Sequence, residues 1–294
     1  MSELTLLAIR PHPDDESSGT GGILARYAQR GVRVGVLTCT LGEEGEINDP
    51  DLDPVEAQPR LGQIREQELR AACGILGVSE LRLLGYRDSG MAGTPANNHP
   101  AAFCNAPLDE AAGRIASVIR ELRPRVIITE NERGTYGHPD HVRCHYAAVR
   151  GAELAASATY VDSSAPWQVD RLYALEMVTE GAARVRQMLI DEHLDLGWFA
   201  EREPSGEGVP RGINSADADA AVDVSAYAGT MRQALAAHRT QIAPDSFLLT
   251  WPLRIFTEMF RTAYFRRLLP STPEPQKHDL LEGLSPRPGE AFSD

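Results

Sequence analysis

"LTLLAIRPHPDDESSGTGGILARYAQRGVRVGVLTCT", residues 4–40, decides the fold. "LTLLAI" (4–9) and "VRVGVLTCT" (32–40) are short, nearly continuous apolar runs, the signature of strands buried on both faces. Between them "SSGTGGILARYAQRG" (17–31) reads as a helix closed by Gly31. Strand, helix and strand at this spacing form a βαβ unit with two parallel strands.

The rhythm continues along the chain. "LGQIREQELRAACGILG" (61–77) is a helix, with Leu69, Ala72, Cys73 and Leu76 at helical spacing and Gly77 at its end. "ELRLLGY" (80–86) follows as a strand, "LDEAAGRIASVIRELRP" (108–124) as a helix stopped by Pro124, and "RVIIT" (125–129) as a fourth strand. This alternation predicts an α/β, Rossmann-like, mainly parallel sheet with helices on both faces. Residues 1–157 are expected to form that core. Residues 158–269 are expected to add a C-terminal α+β extension that shapes the substrate pocket. In it "DRLYALEMV" (170–178) reads as a strand, "EREPSGEGVPRGINSADADA" (201–220) as a loop and "VSAYAGTMRQALAAHRTQI" (224–242) as a helix. The tail, 270–294, carries Pro270, Pro273, Pro275, Pro286 and Pro288 and is expected to be loosely held.

Composition narrows the function classes. A formal charge of −13 repels phosphate backbones, so nucleic acid is not an expected partner. No apolar run reaches the roughly 18 residues of a membrane span, and no secretory leader pattern opens the chain, so a cytoplasmic protein with no membrane partner is expected. Cys39, Cys73, Cys104 and Cys144 form no CxxC pair and read as core residues. The oligomeric state is not encoded in any of these patterns.

Open parallel sheets bind ligands beyond the carboxyl ends of their strands. Two connections there, "GEEGEINDPDLDPVEAQPR" (42–60) and "RDSGMAGTPANNHPAAFCNAP" (87–107), exceed the usual upper loop length of about 15 residues. The acids of the first read as a solvated loop. Gly19, Gly21 and Gly22 open a helix after a strand, the context of a dinucleotide fingerprint, but GxGxxG would need glycine where Leu24 stands. Asp14, Asp15 and Glu16 would also repel a pyrophosphate, which argues against a nucleotide-dependent oxidoreductase.

A metal reading fits better. "HPDDE" (12–16) follows the first strand and "YGHPDH" (136–141) follows the fourth, and both supply imidazole and carboxylate donors suited to zinc. Asp140, Asp15 and Ser17 would also serve as helix caps, yet caps need no histidine. Spacing alone leaves open whether His12 shares a metal with Asp14, along an extended run, or with Asp15, through a turn.

"PHPDDES" with "GHPDH" resembles the LmbE-like, N-acetylglucosaminyl-phosphatidylinositol de-N-acetylase family, Rossmann-like zinc hydrolases of N-acyl amino sugars. "TCTLGEEGEI", "RDSGMAGT", "IRELRP", "HVRCH" and "AAHRTQI" are similar to its mycothiol-pathway branch, the N-acetylglucosaminyl-inositol deacetylase and mycothiol S-conjugate amidase. The resemblance covers roughly residues 4–245.

It implies His12, Asp15 and His141 as ligands of Zn2+, with Fe2+ as the alternative metal, and Asp14 as general base toward the attacking water. His138 would stabilise the oxyanion, with Asp140 orienting its ring and keeping it protonated, and Tyr136 would reach the same oxygen. Arg65 and Asp88 match positions that grip substrate hydroxyls. The implied enzyme is a metal-dependent amidase or deacetylase acting on a small amino-sugar or thiol conjugate. A non-catalytic metal-binding paralogue is the other reading. His145 and His238 are assigned no chemistry. The chain departs from the amidase branch at Gly19, where lysine is common, and in "ENERGTYGHPDH", where Glu130, Glu132 and Arg133 change the local charge. Both departures suit a specialised paralogue in natural-product metabolism.

Overall fold

A computed structural model describes residues 4–178, 180–194, 196, 212–272 and 274–285. Among them one seven-stranded sheet runs through the molecule: β1 (Leu6–Arg10), β2 (Val34–Thr40), β3 (Glu80–Tyr86), β4 (Val126–Thr129), β5 (Arg171–Glu176), β6 (Ala220–Asp223) and β7 (Thr262–Leu269). The order is β3-β2-β1-β4-β5-β7-β6. The first five strands are parallel neighbours, whereas β7 pairs antiparallel with β5 and β6 antiparallel with β7. The α/β, mainly parallel expectation therefore holds, and residues 158–269 contribute three strands to the same sheet.

Successive residues of a strand point to opposite faces. Leu6 and Ala8 of β1 accordingly join one apolar cluster with Ile23 and Leu24 of α1 (Asp15–Gln29) and Leu69 and Leu76 of α2 (Leu61–Leu76). Leu7 and Ile9 join another with Ile115 and Ile119 of α3 (Leu108–Leu122) and Cys144 and Ala148 of α4 (Pro139–Ala156). Each strand face is thus covered by helices, which is why β1 and β2 read as unbroken apolar runs. Cys39, Cys73 and Cys144 are buried as expected, and Cys104 is half-buried.

Two local expectations are corrected, and a third lies largely outside the described residues. The helix read over 224–242 is confined to α6 (Ala228–Ala237), after a 3-10 turn at Ser225–Tyr227; α5 (Glu180–Asp191) precedes it and α7 (Leu253–Met259) follows it. The loop expected over 201–220 lies largely outside the described residues, and Ala220 at its end already belongs to β6. The described tail residues 274–285 are held, not loose. Leu280 and Leu281 are buried, and the Asp279 carboxylate accepts the Tyr27 hydroxyl of α1 at 2.7 Å. Pro273, Pro286 and Pro288 lie outside the described residues. No helix is long and apolar enough to cross a membrane among the described residues.

The strand order reverses between β1 and β4. Their carboxyl ends diverge into the crevice where such sheets bind ligands, and both His-Pro-Asp motifs start there.

Candidate metal centre

β1 ends at Arg10, and the chain turns sharply before α1 begins at Asp15. Asp14 makes that turn with φ 100°, a left-handed conformation unusual for a residue with a side chain. Two contacts hold it. The Asp15 carboxylate accepts the His12 main-chain N–H at 2.9 Å, and Glu16 accepts that of Asp14 at 3.0 Å. His12 and Asp15 are thereby folded onto one point, the turn arrangement of the two that the spacing allows.

Beyond β4, Gly134 and Thr135 adopt φ of 62° and 60°, and His138 then caps α4. Gly134 is required there, because a Cβ would lie 2.7 Å from the Val142 nitrogen. This bend carries His138 and His141 back over the end of β1. The donor atoms of His12, His138 and His141 lie within 4.8 Å of one another, and all three rings are buried. Asp15 Oδ2 stands 3.4 Å from His12 Nδ1 and 3.5 Å from His141 Nε2. Tetrahedral zinc with bonds of about 2.0–2.2 Å separates its ligand atoms by about 3.3–3.6 Å. The residues present therefore fit a zinc ion, and two histidines with one carboxylate suit Fe2+ as well.

A carboxylate stands close to the outward nitrogen of His12 and of His141. His12 Nε2 lies 3.2 Å from Asp140 Oδ2 and 3.4 Å from Asp88 Oδ1, while His141 Nδ1 lies 3.2 Å from Glu130 Oε2. The Asp140 carboxylate bonded to His12 favours the tautomer that turns a bare Nδ1 toward a metal, and Glu130 places negative charge behind His141. His12, Asp88 and Asp140 also approach closely enough to form a metal-sized group of their own. Their carboxylates crowd Nε2, whose N–H explains the arrangement without an ion. Although burial opposes its charge, His12 is held well above the ordinary imidazole range by Asp140, Asp15 and Asp88. The pocket thus favours a positive charge at this position. Against its own burial, Asp15 is held well below the carboxylate range by His141 and His12. Burial pushes Asp14 the other way, up to about 6, with Arg65 opposing the shift and Asp15 adding to it.

Asp140 is a correction. Expected to orient His138, its carboxylate instead accepts the Ser89 main-chain N–H at 2.9 Å and faces His12. What reaches His138 is the Asp140 main-chain N–H, donated to Nδ1 at 3.1 Å. With Nδ1 accepting, neutral His138 carries its proton on Nε2. Burial, then His12 and His141, push its pKa down to about 4, so the ring is a neutral donor and not the imidazolium expected.

Arg65 and Asp88 lie near the same centre, and both are buried and engaged with the protein. The Arg65 guanidinium donates to the carbonyls of Pro13 and Gly42 and to Asp14 Oδ2 at 3.3 Å. Asp88 accepts the Gly90 N–H at 2.8 Å besides facing His12. Tyr136 is 55% exposed, with its hydroxyl 3.4 Å from His141 Nε2; burial of that oxygen, with Asp15 close by, raises its pKa, so it remains a donor.

Sequence reasoning missed three supports. Glu130, at the end of β4, pairs with Arg10 at 2.7 Å and accepts the Thr135 hydroxyl at 2.7 Å in addition to facing His141. Glu16 and His238 are both fully buried and meet at 2.7 Å, so the residue left without a role braces the acid that holds Asp14. Acids that directly follow apolar strands were the available signal for Glu130. His145 donates Nδ1–H to the Glu130 carbonyl at 2.8 Å and stays structural.

A family model described as PIG-L: GlcNAc-PI de-N-acetylase matches residues 7–152. The 1D-myo-inositol 2-acetamido-2-deoxy-alpha-D-glucopyranoside deacetylase of Streptomyces avermitilis is 37% identical over 292 residues, covering 96% of this chain and 97% of that protein. The solved N,N'-diacetylchitobiose deacetylase from Pyrococcus horikoshii superposes with a TM-score of 0.61 at 18% identity, over 91% of this chain and 84% of that one. GalB, a 4-carboxy-2-hydroxymuconate hydratase from Pseudomonas putida, superposes with a TM-score of 0.61 at 15% identity, over 92% and 98%, so the fold alone carries no single reaction. Identity over nearly the whole chain, together with the two His-Pro-Asp motifs on neighbouring strands, decides the question: the chain belongs to the PIG-L family of de-N-acetylases.

Proposed function

We propose that this chain is a zinc-dependent de-N-acylase of a small N-acyl amino-sugar conjugate, of the N-acetylglucosaminyl-inositol or mycothiol type, specialised within natural-product metabolism. The observation that carries the reading is Asp15 at tetrahedral-edge distances from two histidines, each backed by its own carboxylate. His12, Asp15 and His141 would hold the ion, and Fe2+ suits the same donors. Bound there, the metal supplies Lewis acidity toward the amide carbonyl and the attacking water.

The remaining steps belong to side chains. Asp14, ionised above about pH 6, takes the proton of the attacking water and returns it to the leaving nitrogen. Its carboxylate is aimed by Arg65, and its strained turn is held by Glu16. His138 Nε2–H donates to the carbonyl oxygen as negative charge gathers there, a task a neutral imidazole performs without disturbing the metal's charge balance. The Tyr136 hydroxyl, 3.4 Å from His141 Nε2, offers a second donor.

Support also comes from the Streptomyces relative, named a deacetylase of this sugar class. The test is metal analysis of the purified protein, then amine release from N-acetylglucosaminyl-inositol, a mycothiol conjugate and other N-acyl sugars. Release that depends on zinc is expected. A metal-loaded protein inert toward every substrate would support the non-catalytic paralogue and overturn the enzyme.

A further inference from the structure

A cavity of about 410 Å³ opens beside the candidate metal centre. Asp15, His141 and Tyr136 belong to its lining; Asp14, His138, Arg65 and Asp88 do not line it. The cavity therefore meets the centre at Asp15 and His141, beside Tyr136, and not at the base Asp14 or at His138. Its walls are largely apolar, built by Ile23, Leu175, Met177, Val185, Met231 and Phe260. α1 contributes Asp15, Ser18, Gly19, Gly22 and Ile23 to the lining, and these two glycines let Arg10, Leu175 and Val224 pack close against the helix. A Cβ at Gly19 would lie 2.8 Å from Arg10 Nη2 and 2.9 Å from Leu175 Cδ2, and one at Gly22 would lie 2.8 Å from Val224 Cγ2. Gly181 of α5 also lines the cavity and has nothing within 4 Å of an added Cβ.

We propose that this cavity receives the N-acyl group of the substrate, and that the preferred group is an apolar chain longer than acetyl. The inference rests on the de-N-acylase reading above. A sugar ring placed here would lose water from its hydroxyls, and the charged groups of the lining are already engaged, Arg10 with Glu130, Arg261 with Glu258 and Glu176 with Asn131. An acetyl methyl would fill a small part of a space that holds on the order of ten waters. The amine half of the substrate is left on the Asp14 side, where polar side chains and the two long loops gather. The cleavage is ordinary hydrolysis: the C–N bond breaks, water gives its oxygen to the acyl carbon, and its protons end on the amine and the carboxylic acid.

The test compares N-acetyl, N-butanoyl and N-octanoyl forms of one amino sugar with the zinc-loaded protein. Each buried methylene is worth up to about fourfold in binding, so the octanoyl form is expected to exceed the acetyl form in kcat/KM by at least tenfold. The Gly181→Phe variant, whose ring enters open space, is expected to collapse that ratio toward one. Calorimetry on zinc-loaded Asp14→Asn gives a readout without turnover, with tighter binding and a more negative heat-capacity change expected for the octanoyl sugar. Turnover of the acetyl sugar with no gain on lengthening overturns this proposal and leaves the de-N-acylase reading intact. No turnover at any length by the zinc-loaded protein overturns both.

Discussion

Replacing Asp140 with asparagine separates two arrangements that the motif "HPDH" permits equally. The carboxylate is fully buried, accepts the Ser89 N–H at 2.9 Å and lies 3.2 Å from His12 Nε2. Asparagine keeps the shape and one acceptor oxygen, so the Ser89 contact survives and His12 keeps a partner. What disappears is the negative charge that makes His12 Nδ1 a better donor toward a cation. Loss of such a supporting carboxylate typically costs 10- to 100-fold in metal affinity, or about 1.4–2.8 kcal/mol. Zinc affinity of Asp140→Asn, measured against a competing chelator, is therefore expected to fall by that factor, and amine release at saturating zinc to recover most of its rate. The opposite pattern, parental zinc affinity with a depressed rate and a displaced pH profile, would mean that Asp140 acts on His138. That result would sink the reading of His12 as a carboxylate-backed ligand.

Three further outcomes follow from the same geometry. Asp14→Asn should retain zinc and lose about 10²- to 10⁴-fold in turnover, and the parent's kcat/KM should rise with pH and level off above about 6, as Asp14 loses its proton; equal rates in parent and variant would remove Asp14 as the base. His238→Gln weakens the brace on Glu16 and hence on the Asp14 turn, so turnover should drop on the order of 10- to 100-fold at unchanged zinc content; a loss of zinc instead would place His238 with the ligands. Asp279 is depressed below the carboxylate range, its burial outweighed by the Leu281 N–H, the Tyr27 hydroxyl and Arg30. A depressed acid stabilises the fold above its unfolded value of about 3.9 and loses that contribution as pH falls toward the folded value. Denaturation of Asp279→Asn should accordingly show a lower midpoint at neutral pH and a shallower acid decline, and identical acid limbs would show that the tail is not anchored there.

The parts of this molecule that were legible in its sequence are those where one physical demand fixes the residue pattern. Strands buried on both faces must be apolar throughout, so β1, β2 and β4 announced themselves, and the helices between them carried clear 3.6-residue spacing. β6 and β7 lie antiparallel at the far edge, where "TAYFRRLL" mixes charge with apolar residues because one flank is less covered, and the period there is too weak to read. The metal motifs were visible because histidine and aspartate at two strand ends have no structural demand in common. Their partners were not, and Asp140 shows why. Two residues from His138, it looked like that ring's natural neighbour, yet residues i and i+2 at the start of a helix point to different sides. Its carboxylate consequently turns away from His138 and meets a histidine 128 positions earlier, while its main-chain N–H makes the short-range contact. Glu130 and Glu16 obey the same logic: an acid is chosen by what stands across the crevice, and sequence distance carries no record of that. Chain neighbours therefore set the backbone turn of each motif, whereas the carboxylates behind His12 and His141 are delivered from different elements.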